Sequence, residues 1–272
     1  MSYESPHAGI PAGLTCRYGA SRLVFRGPKR DLARPHVAFL GSSETFGRFV
    51  ARPFAELVED ATGRDCVNLG CVNAGLDAFV HDPEVARLLQ GASAVVVQLP
   101  GAQTLSNRFY RVHPRRNDRF LAASPALAMI YREVDFTEFA FTRHMLGALR
   151  AHSAERFELV VAELRHAWVA RMRLLLRDLA APVVLLWLRY RAQPGTLGPD
   201  PLFVDPAMAA ALVDGRTALV EIEVDPAGQC DDLRGMSFGA LQAPIAAHLI
   251  GPRCHARIAA RVAAELNRLS GQ

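Results

Sequence analysis

The sequence predicts an α/β fold: a doubly wound, five-stranded and mostly parallel sheet flanked by helices, with a helical pair inserted before the fourth strand. Two observations carry this. Three short apolar runs alternate with single helical segments between His36 and Leu99, and two further strand-sized runs, Val183 to Leu188 and Thr217 to Val224, follow later. Strands separated by single helices are joined by right-handed crossovers and lie parallel.

The elements follow in order. Residues 1–34 are rich in Gly, Pro and Arg around one apolar patch, Leu23 to Phe25, and read as an irregular arm with at most a short strand. Residues 35–272 read as one elaborated domain without repeats or low-complexity tracts. HVAFLG, residues 36–41, is the first strand, and Pro53 to Thr62 is a helix with proline in its first turn, where a missing N–H costs little. Asp65 to Leu69 is the second strand. Asp82-Pro83-Glu84 combines an N-cap aspartate, an N1 proline and an early acid that suits the helix dipole. Ala94 to Leu99 is the third strand, and a long polar loop comes after it.

The inserted pair is a helix near Phe136 to His152 and another after Ser153. The second carries Phe157, Val160, Leu164, Trp168, Met172, Leu175 and Leu179 near helical period, which is a core stripe. Asp205-Pro206 starts a helix closed by Gly215 ahead of the fifth strand. The last helix runs from about Pro252, with Ile258, Val262, Leu266 and Leu269 on one face.

Composition narrows the function classes. The chain has 272 residues, 31 Lys plus Arg against 27 Asp plus Glu, and is 50% apolar, so it is a folded rather than disordered chain. No apolar run approaches the roughly 18–20 residues of a membrane span. MSYESPHAGIPAG lacks a basic n-region and an apolar h-region, so the expected location is the cytoplasm. Five scattered cysteines without a CxxC pair are expected to be reduced thiols, and no histidines stand at metal-ligand spacing, so neither metal nor cofactor is expected.

In a parallel sheet, reactive groups collect in loops that leave the carboxyl ends of strands. The first such loop is GSSETFG, Gly41 to Gly47. It fails as a phosphate-binding P-loop, since no Lys-Ser/Thr follows, and as a GxSxG elbow, since Thr45 stands at the second glycine. NLGCVNAG, Asn68 to Gly75, fails as a GxGxxG dinucleotide fingerprint.

The loop GSSETFG resembles block I of the SGNH/GDSL hydrolases, a strand ending in Gly-Asp-Ser-x-Thr-x-Gly. That resemblance puts the nucleophile at Ser43, with Ser42 in the aspartate's place. NLGCVNAG resembles block II and implies an oxyanion N–H at Asn73, together with that of Ser43. Gly101-Ala102-Gln103 resembles block III, with the Gln103 amide, or Asn107 in its stead, as the further donor. GPRCHARIAARVAAEL resembles block V and implies His255 as the base. Pro252 stands where the family has its aspartate, so a Ser–His dyad or an acid from elsewhere, Asp231 or Asp232, is required. HPRRNDRF and FTRHMLGALR resemble phrases of a divergent bacterial branch without an assigned activity.

The arginine-rich segment SNRFYRVHPRRNDRF, Ser106 to Phe120, follows block III. Asn107, Arg111, His113, Arg115 and Arg116 are its candidate substrate-binding residues, because guanidinium forks bind carboxylate, sulfate or phosphate bidentately. A solvated charged face is the other reading. The family resemblance implies a serine esterase acting on an O-acyl ester of a small molecule or carbohydrate, the arginines adding a preference for an anionic one. A non-catalytic binding protein for an anionic ligand, having lost the triad, is the second reading. Neither nucleic acid nor membrane is expected as a partner, and the oligomeric state is not legible.

Overall fold

The computed structural model describes residues 14–191 and 197–270. Residues 1–13 of the expected arm lie outside the described residues. The remainder of the arm holds a two-stranded antiparallel ribbon, β1 (Thr15–Cys16) with β2 (Phe25–Arg26). The main sheet starts with β3 (His36–Gly41), followed by the single-turn α1 (Ser43–Phe46) and by α2 (Phe54–Thr62). Then come β4 (Cys66–Gly70), α3 (Leu76–Val80), α4 (Pro83–Gln90) and β5 (Ala92–Gln98). A hairpin of β6 (Tyr110–His113) and β7 (Arg116–Ala123) precedes α5 (Pro125–Ile130), α6 (Thr142–His152) and α7 (Ala154–Arg177). After these come β8 (Val183–Tyr190), α8 (Pro206–Ala210), β9 (Thr217–Val224), α9 (Ala243–His248) and α10 (Pro252–Ser270).

The five expected strands form one all-parallel sheet in the order β4-β3-β5-β8-β9. Both faces are covered. Val37, Phe39, Val96, Val184 and Leu186 pack with Phe54 and Val58 of α2 and with Ile258, Val262 and Leu266 of α10. On the opposite face Leu40, Val95, Val97 and Leu185 pack with Leu146 of α6 and with Val160, Leu164 and Trp168 of α7. Near-continuous apolar strands are what burial on both faces requires. In order of appearance the strands run 2-1-3-4-5, so the chain reverses its winding direction between β3 and β5, where a crevice opens at the strand ends.

Asp82 and Asp205 cap their helices as the sequence indicates, and Ser153 does the same for α7. Asp82 accepts from Glu84 N at 2.9 Å, Ser153 from Arg156 N at 3.2 Å and Asp205 from Met208 N at 2.9 Å. Three elements differ. The helix expected from Pro206 to Gly215 is the short α8, which ends at Ala210. The helix expected from Phe136 is a 3-10 turn over Phe136–Glu138, after which the chain runs extended until α6 starts at Thr142. The polar loop after the third strand is largely the β6–β7 hairpin. Asn107 starts it, its Oδ1 accepting from Phe109 N at 2.8 Å and Tyr110 N at 3.2 Å, and Tyr110 and Val112 turn inward with the two-residue period of a half-buried strand.

One glycine is essential to the site's construction. A Cβ on Gly70 would lie 2.3 Å from Phe46 N and 2.7 Å from Phe46 Cα, both backbone atoms of α1. Backbone cannot swing aside as a side chain can, so Gly70→Ala is expected to cost about 2 kcal/mol or more in urea unfolding. An unchanged midpoint would show that α1 shifts freely against β4.

Candidate active site

The turn after β3 is held from both neighbouring strands. Gln98, which ends β5, accepts on Oε1 from Ser42 N at 3.0 Å, Thr45 N at 3.3 Å and Thr45 Oγ1 at 2.6 Å. Its Nε2 donates to Glu44 Oε2 at 2.8 Å. From β4, Asn68 Nδ2 donates to the Thr45 carbonyl at 2.8 Å. With five side-chain bonds to Ser42, Glu44 and Thr45, the turn has little freedom, and Ser43 is presented in a fixed place with 8% of its surface exposed. The sequence reading missed Gln98; a polar residue ending the apolar run AVVVQ was the available signal.

Ser43 Oγ donates to Asn73 Oδ1 at 3.3 Å and accepts from Asn73 N at 3.2 Å. Asn73 sits in the left-handed region, φ +59°, which asparagine tolerates better than most residues and which turns its N–H toward the serine. The structure therefore brings Ser43 and Asn73 together. Beside them, Glu44 Oε1 accepts from the Tyr190 hydroxyl at 3.4 Å. Burial, reinforced by the Glu44 charge, pushes the Tyr190 phenol well above its ordinary range, so it stays a donor.

A cavity of about 560 Å³ opens at the strand ends, lined among others by Ser43, Glu44, Asn73, Gln103, Asp118 and His248. Gln103 lies on a 3-10 turn over Ala102–Thr104 and is 5% exposed. Its Oε1 is buried without a hydrogen-bond partner, packed so closely on Gly101 that a Cβ there would meet it at 2.1 Å. Among the described residues, no group of three or more His, Cys, Asp or Glu side chains could hold a metal ion, and no helix is long and apolar enough to cross a membrane.

The structure does not bring His255 to this cavity. Its ring is 1% exposed, stacks on Phe54 with centroids 5.5 Å apart, and accepts from Phe54 N on Nδ1 at 3.0 Å. Burial, with Arg26 nearby, holds the imidazole down at about 3, so it is neutral at physiological pH. The reason is helical phase: His255 continues the buried stripe of Ile258, Val262 and Leu266 at i, i+3, i+7 and i+11. His248, seven residues earlier at the end of α9, lines the cavity instead.

Asp232 does not orient His255 either. Its Oδ1 accepts from Arg253 N and its Oδ2 from Cys254 N, both at 3.1 Å, so it caps the first turn of α10. Asp231 adopts φ +53° and its carbonyl takes a bond from Arg253 Nη2 at 2.7 Å. Neither carboxylate hydrogen-bonds His255 among the described residues.

The arginine-rich segment also lies apart. Asn107 is occupied by the turn it starts, and His113 Nδ1 accepts from Arg115 N and Arg116 N at 3.2 Å, closing the hairpin. Burial and the charges of Arg116, Arg115 and Arg119 lower the His113 imidazole below its ordinary range. Arg111 and Arg115 are exposed, and Arg115 lines a different cavity of about 490 Å³ with Asp77, Asp82 and Arg171. Of SNRFYRVHPRRNDRF, Asp118 reaches the lining of the Ser43 cavity, and the arginines do not.

Fold and cavity together define an α/β protein whose candidate site lies at the C-terminal edge of a parallel sheet. The chain belongs to the family described as domain of unknown function DUF6473, whose model matches residues 1–270. Among solved structures, that of the lipase Lip_vut3 from a goat rumen metagenome is similar at 13% identity and a TM-score of 0.39, covering 85% of this chain and 97% of that one. So distant a likeness transfers neither activity nor site residues. No curated protein matches the chain.

Proposed function

We propose that the protein is a serine esterase of SGNH type in which Ser43 is the nucleophile and His248 the base. The observation that carries the proposal is convergence: Ser43, Asn73 and Gln103 follow the ends of three neighbouring strands, and with His248 at the end of α9 they line one cavity. Ser43 Oγ attacks the ester carbonyl carbon while its proton passes to His248. The tetrahedral oxyanion is stabilised by the N–H groups of Ser43 and Asn73 and by the Gln103 amide. Collapse breaks the acyl–oxygen bond, and the departing alcohol takes the proton back from His248. Water then repeats the sequence on the acyl-enzyme and releases the acid.

His248 takes the role that the sequence resemblance gave to His255, because it shares the cavity with Ser43. The O-acyl esters of carbohydrates that the resemblance implies are the first substrates to test. A negative charge on the substrate is not part of the proposal, since Arg111, Arg115 and Arg116 lie outside the cavity lining.

One observation favours the non-catalytic reading: no histidine hydrogen-bonds Ser43 Oγ among the described residues. A fluorophosphonate probe separates the two. The esterase is labelled on Ser43, loses the label in Ser43→Ala and reacts at least about tenfold more slowly in His248→Ala. A folded protein that takes up no label at millimolar probe is a binder.

A further inference from the structure

The β6–β7 hairpin contains an irregularity that the esterase reading leaves unused. Val112 pairs with Phe120 and His113 with Arg116, so residues 117–119 have no partner in β6 and bulge out of its ladder, Arg119 bridging to Phe141 instead. Bulges re-aim side chains and are frequent beside functional sites. Here Asn117 and Asp118 are turned onto the Asn73 loop. Asn117 N donates to the Asn73 carbonyl at 3.0 Å, and Asn117 Oδ1 accepts from Gly75 N at 2.6 Å. Asn117 Nδ2 donates to the His113 carbonyl at 2.9 Å, and the side chain is fully buried. Asp118 Oδ2 accepts from Asn73 Nδ2 at 3.3 Å.

We infer that Asp118 is a positioning residue: it holds the Asn73 amide with Oδ1 toward Ser43 Oγ and, with Asn117, keeps the Asn73 N–H aimed at the nucleophile. The inference rests on the serine-esterase reading. Without Asp118 the amide can turn over and present Nδ2 to Ser43, and the left-handed peptide loses one of the groups that hold it. A left-handed non-glycine residue is unfavourable by itself and needs such support.

Asp118 is poorly explained as a stabiliser of the fold. Its Oδ1 is buried without a hydrogen-bond partner, and burial raises its carboxyl above the ordinary range. A buried acceptor left unpaired is destabilising, so a purely structural residue here would serve better as an apolar or neutral one. The side chain lines the Ser43 cavity, within reach of the machinery it orients.

The test is the rate of fluorophosphonate labelling at Ser43, with kcat and KM on an activated ester. Asp118→Ala is expected to label about tenfold more slowly, equivalent to about 1.4 kcal/mol of barrier, with kcat lowered and KM unchanged. Asp118→Asn, whose amide oxygen still accepts from Asn73 Nδ2, is expected to recover to within about threefold. Asn73→Gly keeps the left-handed peptide and its N–H while removing the amide; it is expected to be as slow as Asp118→Ala, and adding Asp118→Ala to it changes nothing more. If Asp118→Ala loses its fold by circular dichroism, Asp118→Asn and Asn73→Gly decide the matter.

Wild-type labelling rates in Asp118→Ala or in Asn73→Gly overturn the inference while leaving the esterase reading intact. So does an Asp118→Ala effect that persists undiminished in the Asn73→Gly background. Absence of label on the unaltered protein overturns both.

Discussion

Ser43→Ala and His248→Ala are each expected to lower kcat on an activated acetyl ester by about a thousandfold or more, with KM little changed. Nucleophile and base act as a unit, so the double variant loses little beyond either single one. The size of the effect follows from the chemistry. Without Oγ there is no acyl-enzyme, and without the imidazole the attacking hydroxyl keeps its proton at neutral pH. His255→Asn separates the two histidines. It keeps an acceptor for Phe54 N and is expected to turn over at the wild-type rate. Unchanged turnover in Ser43→Ala removes the mechanism, whereas loss of kcat in His255→Asn beside an active His248→Ala returns the base to α10.

His255 gives the second large effect, on stability rather than rate. Its imidazole is held at about 3 in the folded protein, against an ordinary value near 6.5. Above pH 6.5 both folded and unfolded chains carry it neutral, and it adds no pH dependence. Between pH 6.5 and 3 the unfolded chain binds a proton that the folded one refuses, so stability falls as pH falls. At 1.36 kcal/mol per pH unit this amounts to about 3 kcal/mol by pH 4. Carboxylates titrate in the same range, so the informative quantity is the difference between the unaltered protein and His255→Asn. Urea unfolding at pH 7.5 and at pH 4 should show the substituted protein losing about 3 kcal/mol less. Equal losses would mean that the buried ring is accessible to protons in the folded state. His255→Ala is expected to cost about 3 kcal/mol at pH 7.5, because it removes a stacked ring and leaves the Phe54 N–H without its acceptor, and little at pH 4, where the unaltered protein has lost about as much through the imidazole.

The core helices and the five strands were legible because each is encoded locally. Strand-length apolar runs bounded by turn residues, and Asp or Ser placed before a proline or a first helical turn, act within a few residues of chain. The serine turn and the asparagine loop were legible for the same reason, as short phrases following strands. What was misplaced depended on phase and on distance. His248 ends α9 and His255 lies in the first turn of α10, and a histidine beside the last helix fits either position until the packing of α10 shows which of its faces is buried. The segment RRNDRF read as arginine chemistry because charge density is visible in a sequence. The bulge that turns Asn117 and Asp118 toward Asn73 is a register mismatch between two strands, which neither strand displays by itself.

By itself, then, the sequence determined the layered parallel fold, the capped starts of its principal helices and the strand-end positions of Ser43, Asn73 and Gln103. Tertiary structure alone decided that His248 and Asp118 share the cavity with Ser43, that Gln98 clamps the serine turn, and that His255 and Asp232 serve the packing and capping of α10. The physical reason is range. Propensity and capping act over one or two turns of chain, whereas Gln98 and Thr45 are 53 residues apart, and Phe54 and His255 are 201 apart. Contacts of that separation exist only once the sheet has closed its order and both of its faces are covered.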